Sequence, residues 1–303
     1  MKIRNGKTRG LPRPELLLDE VGLDDPGDVL EDLVVHMTTA EGAFTETFVE
    51  AAGLRIQLRR GGDGPPLLVL HGELGVPGWL SAYAQLARHF TVYVPSLPGF
   101  GQSARPEWIA SGRDLAAWVA WFVRDLKLPA PFPLIGFSLG GWVAAEIAIV
   151  NPGLFSKLVL VSPAGVAPDG GQIWDYFLHS TKEAFAQAFA DPASAEEYAR
   201  FYGAWTPEHE RQAEWNREMA ARLVWKPYMR SHTLQALLGG VATPTLVVWG
   251  RQDAIIPVDA CERWARAIPG ATARILERCG HLPEMERPDE FVQTVREFLL
   301  PHA

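Results

Sequence analysis

From Leu67 onward the chain is punctuated by short, mostly apolar runs: Leu67-Leu68-Val69-Leu70, Thr91-Val92-Tyr93-Val94, Pro133-Leu134-Ile135, Lys157-Leu158-Val159-Leu160-Val161, Thr245-Leu246-Val247-Val248-Trp249 and Ala273-Arg274-Ile275-Leu276. Runs of this length, closed off by turn residues, predict strands covered on both faces. Amphipathic stretches of helical period separate most of them. Strands alternating with helices predict an α/β fold built on a mostly parallel, doubly wound sheet. Upstream, Phe48-Val49-Glu50-Ala51 and Leu54-Arg55-Ile56-Gln57-Leu58, joined at Ala52-Gly53, predict an antiparallel hairpin.

One connection breaks the rhythm. Between Ser162 and Thr243 lie about 80 residues, where a crossover between parallel strands needs roughly a dozen. The excess predicts an inserted helical cap over residues 164–242. That span holds twelve of the chain's 31 Phe, Trp and Tyr residues, so an apolar underside is expected, with most of the rings building the cap's own small core. The predicted organisation is therefore an acidic N-terminal extension over 1–43, a first part of the α/β core over 44–163, the cap over 164–242, and the second part of the core over 243–303. The extension is rich in Gly, Pro and Asp, with apolar patches no longer than Leu16-Leu17-Leu18, and is expected to lie on the surface.

Composition narrows the function classes. Of 303 residues, 48% are hydrophobic and 21% charged, the balance of a globular chain long enough to bury a core without disulfides or structural metal. The formal charge of −8 is local: eleven carboxylates and no Lys or Arg lie between Pro14 and Leu54, and the remainder carries 28 basic against 25 acidic residues. Nucleic-acid binding, which needs clustered Lys and Arg, gains no support. Cys261 and Cys279 lack metal-ligand spacing and read as free thiols. No apolar run approaches the roughly 18 residues of a membrane helix, and the segment from Met1 to Gly6 lacks the apolar stretch of a signal peptide. The expected address is cytoplasmic, without membrane partners. Gly99-Phe100-Gly101-Gln102-Ser103-Ala104 imitates a dinucleotide fingerprint, but Arg105-Pro106 follows where a helix should open; Gly6-Lys7-Thr8 lacks the glycine and strand of a phosphate loop. No cofactor and no metal is implied, and oligomeric state is left open.

The chemistry concentrates at Gly136-Phe137-Ser138-Leu139-Gly140-Gly141, directly after a predicted strand and before the helical Trp142-Val143-Ala144-Ala145-Glu146-Ile147-Ala148. A Gly-x-Ser-x-Gly turn in that context projects a serine oxygen at the sheet edge, with free N–H groups of the helix start beside it. Serine needs a base and a group to orient that base. Asp253 follows the strand ending at Trp249, and His281 follows the next strand, each at a carboxyl end where open parallel sheets place their sites. The order Ser138, Asp253, His281 completes a nucleophile, an orienting acid and a base, with the base expected to titrate near the ordinary ~6.5 of imidazole. His71-Gly72-Glu73 follows the first parallel strand, and its Glu73 N–H, with that of Leu139, can form an oxyanion hole. The Glu73 side chain is expected to turn away, since a carboxylate facing an oxyanion opposes catalysis. His71, Trp205 and Trp225 are the candidate substrate contacts.

These motifs, with Ser96-Leu97-Pro98-Gly99-Phe100-Gly101-Gln102-Ser103 and Gly280-His281, make the chain from about residue 44 to its end resemble the α/β-hydrolase superfamily, in its capped, serine-nucleophile branch. The His-Gly-Glu loop resembles that of haloalkane dehalogenases, whose nucleophile is aspartate, so Ser138 argues against dehalogenation and epoxide opening. The resemblance implies a cofactor-free serine hydrolase cleaving an apolar carboxylic ester, lactone or thioester through an acyl-enzyme on Ser138. Two alternatives are carried: hydrolysis of a carbon–carbon bond in a ring-cleavage diketone, and a non-catalytic small-molecule receptor. The elbow also resembles that of haloperoxidase-like members, implying perhydrolysis as a side activity. The cap's ten acidic and seven basic residues are scattered and offer no dedicated site for the charged end of a dienoate, which favours the ester.

Overall fold

The computed structural model describes residues 35–39 and 42–300. Within them β1 (Val35–Thr39), β2 (Gly42–Ala51), β3 (Leu54–Gly61), β4 (Pro66–Leu70), β5 (Thr91–Pro95), β6 (Phe132–Phe137), β7 (Phe155–Val161), β8 (Thr245–Gly250) and β9 (Thr272–Leu276) form one sheet, in the order β1-β2-β3-β5-β4-β6-β7-β8-β9. β1, β2, β3 and β5 pair antiparallel in that sequence; from β5 across to β9 every pairing is parallel. The parallel strands coincide with the apolar runs for a physical reason: Leu67–Leu70 and Leu158–Val161 are fully buried at consecutive positions, which requires cover on both faces. One expectation is corrected. The sheet does not start at residue 44, because β1 lies inside the stretch read as an extension and β2 begins at Gly42. β1, Val35-His36-Met37-Thr38-Thr39, is short and carries little apolar signal beside the neighbouring carboxylates. Residues 1–34, which hold eight of the eleven carboxylates between Pro14 and Leu54, fall outside the described residues.

Two groups of helices cover the sheet. α1 (Ser81–Leu86) packs with the C-terminal α9 (Pro283–Glu286) and α10 (Pro288–Leu299), and α2 (Gly112–Asp125) packs with α3 (Leu139–Val150). α2 starts where Ser111 accepts a hydrogen bond from the Asp114 N–H, filling one of the unsatisfied donors of a helix start. Its buried residues Leu115, Trp118, Val119, Phe122 and Val123 recur at helical spacing along one face. α3 is instead buried from Leu139 to Ala148, as a helix wedged between sheet and neighbours must be. Between β7 and β8 run α4 (Thr181–Gln187), α5 (Glu196–Tyr202), α6 (Pro207–Val224) and α7 (Leu234–Leu237), before α8 (Asp259–Ala267) packs on β8 and β9. Phe185, Tyr198, Tyr202 and Trp205 form a ring cluster there, with Phe185 and Tyr202 4.3 Å apart. Among the described residues no helix is long and apolar enough to cross a membrane.

Candidate active site

The parallel sheet reverses its winding at β4, whose two neighbours are β5 and β6, so the loops leaving β4 and β6 diverge and open a crevice. β6 passes into α3 through one residue, Ser138, at φ 43° and ψ −111°, a conformation residues with a side chain rarely adopt. The close approach needs glycine on both sides: a Cβ on Gly136 would lie 2.5 Å from the Gly140 carbonyl oxygen, and one on Gly140 2.3 Å from that of Leu70. The strained backbone is held from outside. Ser138 N–H donates to Val161 O at 2.9 Å, and its carbonyl accepts from Trp142 N–H and Ala164 N–H, each at 3.1 Å. Its Oγ carries no hydrogen bond among the described residues.

Asp253 and His281 arrive from the ends of β8 and β9. Asp253 Oδ1 accepts from the N–H groups of Ile255 and Ile256 at 2.9 Å each, and Oδ2 lies 2.7 Å from His281 Nδ1. His281 N–H donates to Ala188 O at 2.7 Å, tying the histidine to the segment after α4. Glu286 holds the same junction, accepting from the N–H groups of Gly280, Ala190 and Asp191 at 2.6, 3.1 and 2.8 Å. His281 Nε2 is buried and, like Ser138 Oγ, unbonded among the described residues, and both residues line one cavity. In unliganded sites a nucleophile–base bond is commonly long and tightens with substrate.

The loop after β4 closes a tight turn in which Gly75 N–H donates to Gly72 O at 3.1 Å. Gly72 comes so near Ser138 that an added Cβ would sit 3.1 Å from the serine Cβ. The N–H groups of Glu73 and Leu139 meet no acceptor among the described residues. One expectation fails here. The Glu73 side chain does not turn away: it is 3% exposed, lines the cavity, has Oε1 4.0 Å from His281 Nε2 and leaves Oε2 without a partner among the described residues. Asn216 Nδ2 holds the neighbouring Leu74 O at 3.0 Å, so the turn is pinned from α6. His71 lines the cavity, but its polar atoms are committed to the loop: Nε2 accepts from Leu97 N–H at 2.9 Å and Nδ1 lies 2.7 Å from Gly72 O. Burial, helped by Arg59, brings its pKa down to about 4 against the pull of the Gly72 carbonyl. Its ring is neutral and lines the cavity with both nitrogens engaged by the backbone of Leu97 and Gly72.

The cavity beside Ser138 is small, about 30 Å³, and is walled by Tyr83, Phe137, Phe185, Tyr202, Leu282 and Met285 with Glu73 and Glu284. Leu74, Pro77, Phe185 and Tyr202 are shared with an outer chamber of about 210 Å³. Trp205 lines that chamber, its indole N–H donating to Glu210. Trp225, the other aromatic candidate, does not: it stands at the end of α6, 56% exposed, edge-on to Phe177. The buried stripe of α6 ends at Leu223 and Val224, leaving the next position to solvent. The outer chamber also holds the buried Arg59, paired with Glu46 at 2.7 Å. Arg59, Tyr83 and Glu284 were not singled out from the sequence, since each reaches the site only through packing of distant elements.

Electrostatics set His281 apart. Burial pulls its pKa down, but Asp253, then Glu73 and Glu284, outweigh that and raise it to about 9. Burial pushes Glu284 up to about 8, reinforced by Glu197 and Glu73 and opposed by its own backbone N–H and by His281. The ordinary imidazole value expected from the sequence is therefore replaced by an alkaline one, because three carboxyls surround the ring.

The sequence pattern of the alpha/beta hydrolase fold matches residues 65–288. The pimeloyl-[acyl-carrier protein] methyl ester esterase of Aeromonas salmonicida (strain A449) is 29% identical, with 81% of this chain and 100% of that protein covered. The 2-hydroxymuconate semialdehyde hydrolase of Pseudomonas sp. (strain CF600) is 31% identical over 82% of this chain and 92% of its own. A crystal structure of a serine hydrolase involved in carbazole degradation superposes with a TM-score of 0.71 at 23% identity, covering 85% of this chain and 99% of that one.

Proposed function

This chain belongs to the α/β-hydrolase fold family, and on that footing we propose that it is a serine hydrolase cleaving a carboxylic ester through an acyl-enzyme on Ser138. One observation carries the reading: an Asp253–His281 bond of 2.7 Å whose far ring nitrogen opens, unbonded, on the same cavity as an unbonded Ser138 oxygen in strained backbone. Ser138 attacks the carbonyl, His281 takes the proton and returns it to the leaving alkoxide, Asp253 holds the imidazole tautomer, and the Glu73 and Leu139 N–H groups receive the oxyanion. The cavity volumes favour a substrate with one small part beside Ser138 and a larger part in the outer chamber. Two carboxyls in the inner wall weigh against the wholly apolar ester that the sequence alone suggested.

Carbon–carbon bond hydrolysis is the second reading. It is favoured by the 2-hydroxymuconate semialdehyde hydrolase relative and by Arg59, a guanidinium in the outer chamber able to meet a carboxylate. It ranks second because Glu46 already pairs Arg59 and because the Glu73 carboxylate in the inner wall would repel an anionic substrate. A fluorophosphonate probe tests the first reading: stoichiometric labelling of Ser138, lost in Ser138→Ala together with turnover, is expected. Labelling at Ser103 or Ser162 would overturn it.

A further inference from the structure

Two buried carboxyls in the inner cavity have no role in the mechanism just described. Glu73 and Glu284 are 3% and 4% exposed, each has an oxygen without a hydrogen-bond partner among the described residues, and both line the cavity that holds Ser138 and His281. They come from separate elements, the turn after β4 and α9, and converge on a space of about 30 Å³. An unpaired buried carboxyl costs stability, so two facing one cavity are explained most simply by a ligand group that satisfies both. The rest of the wall narrows the choice. Tyr83, Phe185 and Tyr202 supply aromatic rings, and aromatic faces next to carboxylates are the surroundings that a cation prefers to a neutral hydroxyl. The guanidinium of the neighbouring chamber does not offset this, because Arg59 is paired with Glu46 at 2.7 Å.

We propose that the inner cavity is a binding site for an alkylammonium group, held by Glu73 and Glu284, and that the substrates are esters carrying such a cation close to the scissile carbonyl. This rests on the serine-esterase reading for its chemistry but not for its binding site. An ammonium group against Glu73 also acts on the base. Glu73 Oε1 lies 4.0 Å from His281 Nε2 and helps keep the imidazole charged; a cation that engages this carboxylate and adds like charge nearby favours the neutral imidazole that can accept the Ser138 proton. Binding and base activation are thereby coupled. Glu284, kept largely protonated at neutral pH by burial, gives up its proton more readily beside the cation.

The test uses matched ester pairs at pH 7.5: β-alanine methyl ester against methyl butanoate, and 2-(dimethylamino)ethyl acetate against 3-methylbutyl acetate. The cationic member should exceed its neutral partner at least tenfold in kcat/KM in one pair or both, and the ratio should collapse toward one in Glu73→Gln and in Glu284→Gln. Neutral members equal or better in both pairs, or a preference untouched by either variant, would overturn the proposal while leaving the esterase reading intact. If none of the four esters is hydrolysed and Ser138 resists the fluorophosphonate, the esterase reading fails. Binding then decides the site on its own: n-butylammonium, but not n-butanol, should raise the melting temperature of the wild type and lose that effect in Glu73→Gln. No difference between the two additives would reject it.

Discussion

Asp253 and the pair Glu73 and Glu284 all act on one imidazole, yet their surroundings are opposite. Behind the ring, Asp253 accepts from Ile255 N–H and Ile256 N–H and meets His281 Nδ1 at 2.7 Å. On the cavity side, Glu73 and Glu284 each keep an oxygen without a partner. A satisfied carboxylate gives a fixed geometry and a charge that is already compensated. An unsatisfied one stores a demand that a ligand can meet, at a cost to the unliganded fold. The difference separates orientation of the base from recognition of what the base acts on.

Removing the satisfied partner should have the largest effect. Asp253→Asn keeps the shape but presents an N–H or a weaker acceptor to Nδ1, and kcat should fall by about 10⁴-fold. Steady-state kinetics on any turned-over ester measures this. A fall of less than tenfold would make Asp253 a turn residue and erase the distinction.

The pH profile probes both sides at once. With His281 raised to about 9, the base is protonated and idle at neutral pH, so kcat/KM for a neutral ester should rise with pH by roughly 50-fold between 7 and 9. Because Glu73 and Glu284 contribute to that rise, Glu73→Gln and Glu284→Gln should each move the inflection to lower pH. An inflection near 6.5 in the wild type would contradict the carboxyl-crowded site.

Stability should respond in the opposite sense to catalysis. Glu284 has a folded pKa of about 8, above its ordinary carboxyl value, so the folded state holds the proton more tightly than the unfolded one. Stability linked to it is fully present at acid pH and declines as pH rises toward 8. Glu284→Gln lacks this linkage. Its unfolding free energy relative to wild type should therefore climb over that interval, reaching a gain of about 1–3 kcal/mol, read by denaturant titration at each pH. A constant difference across pH 5 to 8 would show that Glu284 is satisfied after all.

The smallest effect concerns the outer chamber. Trp205→Ala should change the ranking of esters by size of the larger group, by about 1 to 3 kcal/mol at most, whereas Trp225→Ala should leave the ranking alone. A ranking altered equally by both would remove the boundary drawn between chamber and surface.

What the sequence made legible was whatever local pattern controls. The parallel strands follow from apolar runs, and Ser138 follows from glycines whose close approach to Gly140 and Leu70 backbone is dictated within a few residues and one neighbouring strand. Asp253 and His281 are legible as candidates because carboxyl ends of parallel strands are a topological address. The rest depends on contacts between distant elements. Glu73 turns inward in a loop held by Asn216 of α6, 142 residues away. Glu284 is buried because α9 lies against α1 and α5. β1 escaped notice because five extended residues near a run of carboxylates carry little apolar signal. Trp205 precedes α6 and lines the outer chamber, Trp225 ends α6 exposed to solvent, and no composition argument could separate them.

The most direct test of the central claim is to quench the enzyme with acid during steady-state turnover of p-nitrophenyl acetate and map the modified peptide by mass spectrometry. One acetyl group on the peptide carrying Ser138, absent in Ser138→Ala, is the expected result. Turnover with no adduct at Ser138, or with the acetyl group on another residue, would contradict the account.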